Sequence, residues 1–177
     1  MRTLIVGGVR SGKSRHAESL AASHGGTVTM IATASAGDAE MAARIAAHRA
    51  RRPSHWHVRE EPIALGRALG EVARPASVVI VDCLTLWLTN IMMQSDAGLL
   101  ERESDALLAA VRSAPGAVIL VSNEVGSGIV PVNELARRFT DVTGALHQQL
   151  AQVCDRVVWM LAGLPLMVKP QSGVSHG

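Results

Sequence analysis

Short apolar runs alternate with segments of helical period along the chain. Leu4–Val6, Val28–Ala32, Val78–Val81, Ala117–Val121 and Val157–Leu161 are mostly continuous and rich in β-branched residues. Continuous rather than alternating apolar runs suit strands buried on both faces of a mainly parallel sheet. Between them lie helix-length segments. The clearest is Asn133–Val153, where Leu135, Phe139, Val142, Leu146, Leu150 and Val153 recur every three or four residues. Asn133, just after Pro131, is a candidate N-cap for it. Arg15–Ala22 is a second helical segment, and Met41–His48 a third, with an amphipathic pattern. The alternation predicts an α/β three-layer fold around a mostly parallel sheet. Residues 1–170 read as a single domain, and Gln171–Gly177 as a polar, flexible tail.

Composition narrows the class. The 177 residues are 48% hydrophobic and 18% charged, which suits a packed globular domain. Phe139, Trp56, Trp87 and Trp159 are its only aromatic residues. Single-strand nucleic-acid binding by base stacking would have few platforms. The net charge of +2, with one short basic cluster at Arg49, Arg51 and Arg52, favours a phosphorylated small molecule over nucleic acid. Cys83 and Cys154 lack metal-ligand spacing and read as buried thiols in a reduced compartment. With no signal-like start and no apolar run near the ~20 residues that span a bilayer, a cytoplasmic protein without membrane insertion is expected.

The strongest chemical signal is Gly7-Gly8-Val9-Arg10-Ser11-Gly12-Lys13-Ser14, a G-x-x-x-x-G-K-S pattern after a strand and before a helix. Glycines let backbone N–H groups turn inward around phosphate oxygens, and the helix N-terminus adds a favourable dipole. Lys13 is expected to reach the β- and γ-phosphates of ATP or GTP, with the Ser14 hydroxyl on Mg²⁺. A second metal anchor belongs at the end of a neighbouring strand. Asp82, after Val78–Val81, stands there; its alternative role is to cap the helix beginning near Leu84.

His48 shares a helix face with Met41 and Ile45, at spacings of seven and three. Such a histidine is ordinarily a core or helix-end residue. The arginines that follow it and the unusual polarity of this connection favour a different role, since a neutral imidazole can attack phosphorus with arginines balancing the charge. Two further segments stand out. Trp56–Pro62 alternates and ends in the paired carboxylates Glu60 and Glu61, and Val121–Pro131 runs from a strand into a Gly-rich loop with Glu124 at its mouth. Each is otherwise a solvated loop.

Together these blocks resemble one family. They are G-G-V-R-S-G-K-S, M-A-A-R-I-x-x-H-R-x-x-R-P-x-x-W, E-E-P, V-D-C-L-T-x-W-L-T-N and S-N-E-V-G-x-G-I-V-P, spread from Leu4 to about Lys169. The set is similar to the bifunctional adenosylcobinamide kinase / adenosylcobinamide-phosphate guanylyltransferase of the cobalamin pathway. The resemblance implies phosphorylation of the aminopropanol hydroxyl of adenosylcobinamide by ATP or GTP. Transfer of GMP from GTP to that phosphate follows, through a GMP–histidine intermediate, giving adenosyl-GDP-cobinamide and pyrophosphate. It places that histidine at His48; some members carry two consecutive histidines, whereas Ala47 precedes His48 here.

The resemblance also puts nucleotide phosphates on Gly7–Ser14, including Gly8, Val9, Arg10, Ser11 and Gly12. Thr33, Ala34, Ser35, Arg49, Ala50, Arg51, Arg52 and Glu60 would line the guanine-nucleotide site. Asp82 fills the metal-organising position, where some relatives have Glu, and counting from Trp56 selects Glu60 over Glu61. A RecA-type P-loop fold and a homotrimer with sites at subunit interfaces are further implied. Either Asp82 or Glu124 is left to orient the acceptor hydroxyl. The competing readings are a plain small-molecule kinase with no covalent intermediate and a nucleotide-dependent switch; neither accounts for the S-N-E-V-G-x-G-I-V-P block.

Overall fold

The computed structural model describes residues 1–34 and 53–170. In chain order the elements are β1 (Arg2–Gly7), α1 (Lys13–Ser23), β2 (Thr27–Ala32), β3 (His57–Glu60), α2 (Leu65–Val72), β4 (Ser77–Asp82), α3 (Leu84–Met92), α4 (Leu99–Ser113), β5 (Ala117–Asn123), α5 (Glu134–Val153), β6 (Arg156–Leu161) and β7 (Leu164–Lys169). They build a seven-stranded sheet of order β3-β2-β4-β5-β1-β6-β7. All neighbours are parallel except the terminal β6–β7 pair.

Alternating side chains of the buried strands feed two apolar layers, the period-2 consequence of the pleat. Leu4, Val6, Val79, Val81, Val118 and Leu120 meet α2, α3, α4 and α5 on one face. Ile5, Met30, Val78, Ile80, Ile119 and Val158 meet Ala17 and Ala21 of α1, with Trp56, on the other. The expected three-layer architecture and all five apolar strands are present. Trp87, fully buried, gives its indole N–H to Ile63 O at 2.7 Å, so the ring fills the core without stranding a donor. Both cysteines are free and buried.

The long helical segment folds as read. Asn133 accepts a hydrogen bond from Ala136 N at 3.1 Å, and Leu146 and Leu150 are buried. Leu135 is the exception in the apolar stripe, 53% exposed in the first turn. Two strands lay outside the periodicity. β3 alternates but is an edge strand with little burial, which is why its pattern equally describes a solvated loop. β7 carries Pro165, which demotes a strand reading away from an edge. Its usable signal was the Ala162-Gly163 pair between two apolar runs. Both residues have positive φ, 51° and 84°, as a two-residue hairpin turn with right-handed strand twist requires.

Gly66 lies within α2 at a close helix crossing. A Cβ there would stand 2.5 Å from Ala106 C and 2.7 Å from Leu107 N, both backbone atoms of α4. Helix propensity alone favours alanine by up to about 1 kcal/mol. The contact reverses the sign: Gly66→Ala is expected to destabilise the fold by about 1–3 kcal/mol. A lower urea midpoint at unchanged slope is the expected result, and a raised midpoint contradicts the close approach.

Candidate functional site

The site is built where β1, β4 and β5 end together. Gly7 pairs with Asn123 across β1–β5, and Val121 pairs with Asp82 across β5–β4. Gly7 must be glycine because β6 crosses so near: a Cβ would sit 2.5 Å from Met160 O. The loop then turns through Arg10 at φ 57° and Gly12 at φ 96°, with Ser11 N bonded to Gly8 O at 3.2 Å. Its outer wall is braced by the β6–β7 turn, where Gly163 N donates to Ser11 O at 3.0 Å. Gly12 is the N-cap of α1, so the helix starts at Lys13 and its free N–H groups face the loop.

Lys13 is buried, 7% exposed, and its Nζ donates to Gly8 O at 2.7 Å. Burial pushes its pKa down, against smaller opposing effects from Cys83 and Asp82. The Ser14 hydroxyl donates to Asp82 Oδ2 at 2.9 Å. The helix-cap reading of Asp82 is not realised. The N-cap of α3 is Cys83, without a side-chain capping bond, and the Asp82 carboxylate turns instead to the loop. Among the described residues the buried Ser11 hydroxyl has no hydrogen-bond partner.

The residues expected around a guanine nucleotide divide. Thr33 is fully buried, and its polar groups are all engaged within the protein. Its hydroxyl donates to Cys83 O at 2.7 Å and accepts from Cys83 N at 2.9 Å. Its N–H bonds Asp82 O, and its carbonyl accepts from Asn90 Nδ2 at 2.8 Å. The side chain thus ties the end of β2 to the end of β4. Ala34 follows, half-buried. Glu60 ends β3 opposite Ala32, whereas Glu61 Oε1 accepts from Ile63 N and Ala64 N ahead of α2. Glu61 is thus a local turn carboxylate. Met41, Ile45, His48, Ser35, Arg49, Ala50, Arg51 and Arg52 lie outside the described residues. Trp56, after them, is buried against the α1 layer.

Sequence reasoning missed two features of the site. The first is a groove of about 590 Å³ between the loop, the Glu124–Gly128 segment and the β6–β7 hairpin, exposing Trp159 and Leu161. No periodic signal marks it, because its third wall is the overlooked hairpin. The second is His147 of α5, whose Nε2 lies 2.7 Å from the fully buried Ser122 Oγ. Burial lowers the His147 pKa, while the Glu124 carboxylate acts in the opposite direction. Among the described residues no group of three His, Cys, Asp or Glu side chains is arranged to hold a metal ion, and no helix is long and apolar enough to cross a membrane.

The model of the family described as cobinamide kinase / cobinamide phosphate guanyltransferase matches residues 3–168. The bifunctional adenosylcobalamin biosynthesis protein CobP of Pseudomonas aeruginosa is 54% identical, covering 96% of this chain and 98% of that protein. The bifunctional CobU proteins of Salmonella typhimurium and Escherichia coli are 39% and 38% identical, each over 96% of this chain and 100% of theirs. In fold alone, the chain is similar to the RadB recombinase, with a TM-score of 0.51 at 19% identity over 89% of this chain and 73% of that one. A Pyrococcus horikoshii OT3 protein gives a TM-score of 0.57 at 7% identity, covering 97% and 87%. The recombinase likeness agrees with the RecA-type, mostly parallel α/β fold expected for a P-loop nucleotide-binding chain. A match across nearly the whole length, in both sequence blocks and fold, means that the chain belongs to the cobinamide kinase / cobinamide phosphate guanyltransferase family.

Proposed function

We propose that residues 1–170 act as one catalytic domain that runs both reactions on adenosylcobinamide, with Gly7–Ser14 holding the nucleotide phosphates. The carrying observation is the buried Lys13 ammonium at Gly8 O beside the Ser14–Asp82 pair. A desolvated cation and free helix N–H groups are costly unless an anion completes them. The Ser14 hydroxyl and Asp82 carboxylate are oxygen donors, which fits Mg²⁺, a cation that takes its remaining ligands from phosphates and water. When bound, Mg²⁺ neutralises charge on the phosphoryl group in transfer. In the kinase step Lys13 holds the β- and γ-phosphates, the Ser11 hydroxyl donates to a phosphate oxygen, and the acceptor alcohol attacks the γ-phosphorus of ATP or GTP in line.

In the guanylyl step an unprotonated nitrogen of His48 attacks the α-phosphorus of GTP and pyrophosphate leaves. The phosphate of adenosylcobinamide phosphate then attacks that phosphorus and frees His48. Arg10, Arg49, Arg51 and Arg52 balance the charge, and Ala34, Ser35, Ala50 and Glu60 border the guanine nucleotide. A homotrimer completes the sites at subunit interfaces. Support for these roles comes from the family membership together with the loop geometry. Incubation with α-labelled GTP and Mg²⁺ should leave an acid-labile, base-stable label on the protein, as a P–N bond would. Absence of any covalent label overturns the histidine route.

A further inference from the structure

The family reaction needs an alcohol brought to the γ-phosphate and a group to take its proton, and Asp82 and Glu124 both stand near enough in sequence terms. The structure separates them. Asp82 is committed to Ser14, on the β4 side of the loop. Glu124 stands on the other side, its N–H bonded to Gly7 O at 2.9 Å, which fixes it to the first glycine of the loop. Its carboxylate is half-buried, and its hydrogen bonds to described residues fall on one oxygen. Gly126 N at 2.5 Å and Ser127 Oγ at 3.1 Å both donate to Oε1. Among the described residues no donor is recorded on Oε2, and Glu124 lines the groove.

Two observations give the groove's ligand. It borders Gly8, the residue whose carbonyl receives the Lys13 ammonium, so it opens at the end of the loop where lysine meets the β- and γ-phosphates. A carboxylate repels a polyphosphate, whereas an alcohol can donate to it and pass it a proton. The rest of the lining is largely apolar, with Val125, Trp159 and Ala162 among it.

We propose that this groove receives the hydroxyl-bearing arm of the cobinamide acceptor and that Glu124 is the general base of the kinase step. The proposal rests on the P-loop reading above. The acceptor O–H bond breaks with its proton passing to Glu124 Oε2. The acceptor oxygen bonds to the γ-phosphorus as the bond from that phosphorus to the bridging oxygen breaks. The nucleoside diphosphate leaves, and the proton returns to solvent. The guanylyl step has no such need, because its nucleophiles are an unprotonated imidazole and then a phosphate that is already ionised.

Two variants of the full-length protein test this, with adenosylcobinamide and ATP as the probes. Glu124→Gln keeps an oxygen for Gly126 N and Ser127 and loses only the basic group. It should lower kinase kcat by about 10²–10³-fold with ATP Kd unchanged, while guanylyl transfer to pre-formed adenosylcobinamide phosphate falls far less. Gly128→Trp adds a ring at the groove, at a position where an added Cβ meets nothing within 4 Å, with the thermal midpoint as the control for folding. It should raise the acceptor KM by about ten-fold or more, some 1.4 kcal/mol, without weakening ATP. Kinase kcat retained in Glu124→Gln overturns the base assignment. A weakened ATP Kd in Gly128→Trp puts the nucleoside in the groove, and an unchanged acceptor KM empties it; either overturns the acceptor site. These failures are distinct from failure of the P-loop reading, in which Lys13→Ala would leave ATP binding intact.

Discussion

Lys13→Ala is expected to reduce both phosphorylation and guanylyl transfer by about 10²–10³-fold or more, the loss that follows removal of one preorganised donor from a charge-developing site. Lys13 Nζ stands against Gly8 O within the loop, whereas Arg10 is an exposed side chain. The same substitution should leave the fold intact. Burial opposes the charged form of Lys13, so removing it relieves a desolvation cost and empties a slot at the surface of the loop. The measurement is the initial rate of each half-reaction, with the thermal midpoint as the control for folding. Full guanylyl activity in a variant without kinase activity would show that the GTP consumed at His48 does not use this loop. Equal loss of both would show that it does.

His48→Ala is the second large effect. It should abolish guanylyl transfer, by at least about 10⁴-fold, because a missing nucleophile is not replaced by neighbouring charge. Phosphorylation should continue, so adenosylcobinamide phosphate accumulates in place of adenosyl-GDP-cobinamide. Chromatographic separation of the two products reads this directly. A His48→Ala enzyme that still formed the GDP product at the parental rate would mean that the acceptor phosphate attacks GTP without an intermediate. The arginines at positions 49, 51 and 52 are then the groups to replace next, since either route must balance the departing pyrophosphate.

The loop and the strands were legible for a common reason. A strand buried on both faces must be mostly apolar, and a phosphate loop must carry glycine where the backbone crowds a neighbour. Each demand is local, so it is written in consecutive residues, as in Val78–Val81 or Gly7–Ser14. Thr33 shows the opposite case. Its neighbours in sequence suggest a ligand contact, yet its hydroxyl is used up by Cys83, 50 residues away. Asp82 was ambiguous for the same reason, and only the 2.9 Å contact with Ser14, 68 positions away, separated a loop partner from a helix cap. Glu60 and Glu61 are adjacent and chemically alike; the turn before α2 distinguishes them by engaging Glu61.

The sequence by itself determined the α/β class, the phosphate loop, the N-cap at Asn133 and the family to which the blocks belong. Those properties depend on backbone conformation and on patterns within one element. Tertiary structure decided which of the carboxylates is committed and which is available. It also decided that an edge hairpin braces the loop and walls a groove, and that Gly66 marks a crossing of two helices. Each of these rests on groups far apart in the chain meeting at a few ångströms, and no local period records such a meeting. The phosphate loop can therefore be read from eight residues, whereas the place for the alcohol it phosphorylates exists only once β1, β5 and β6 lie side by side.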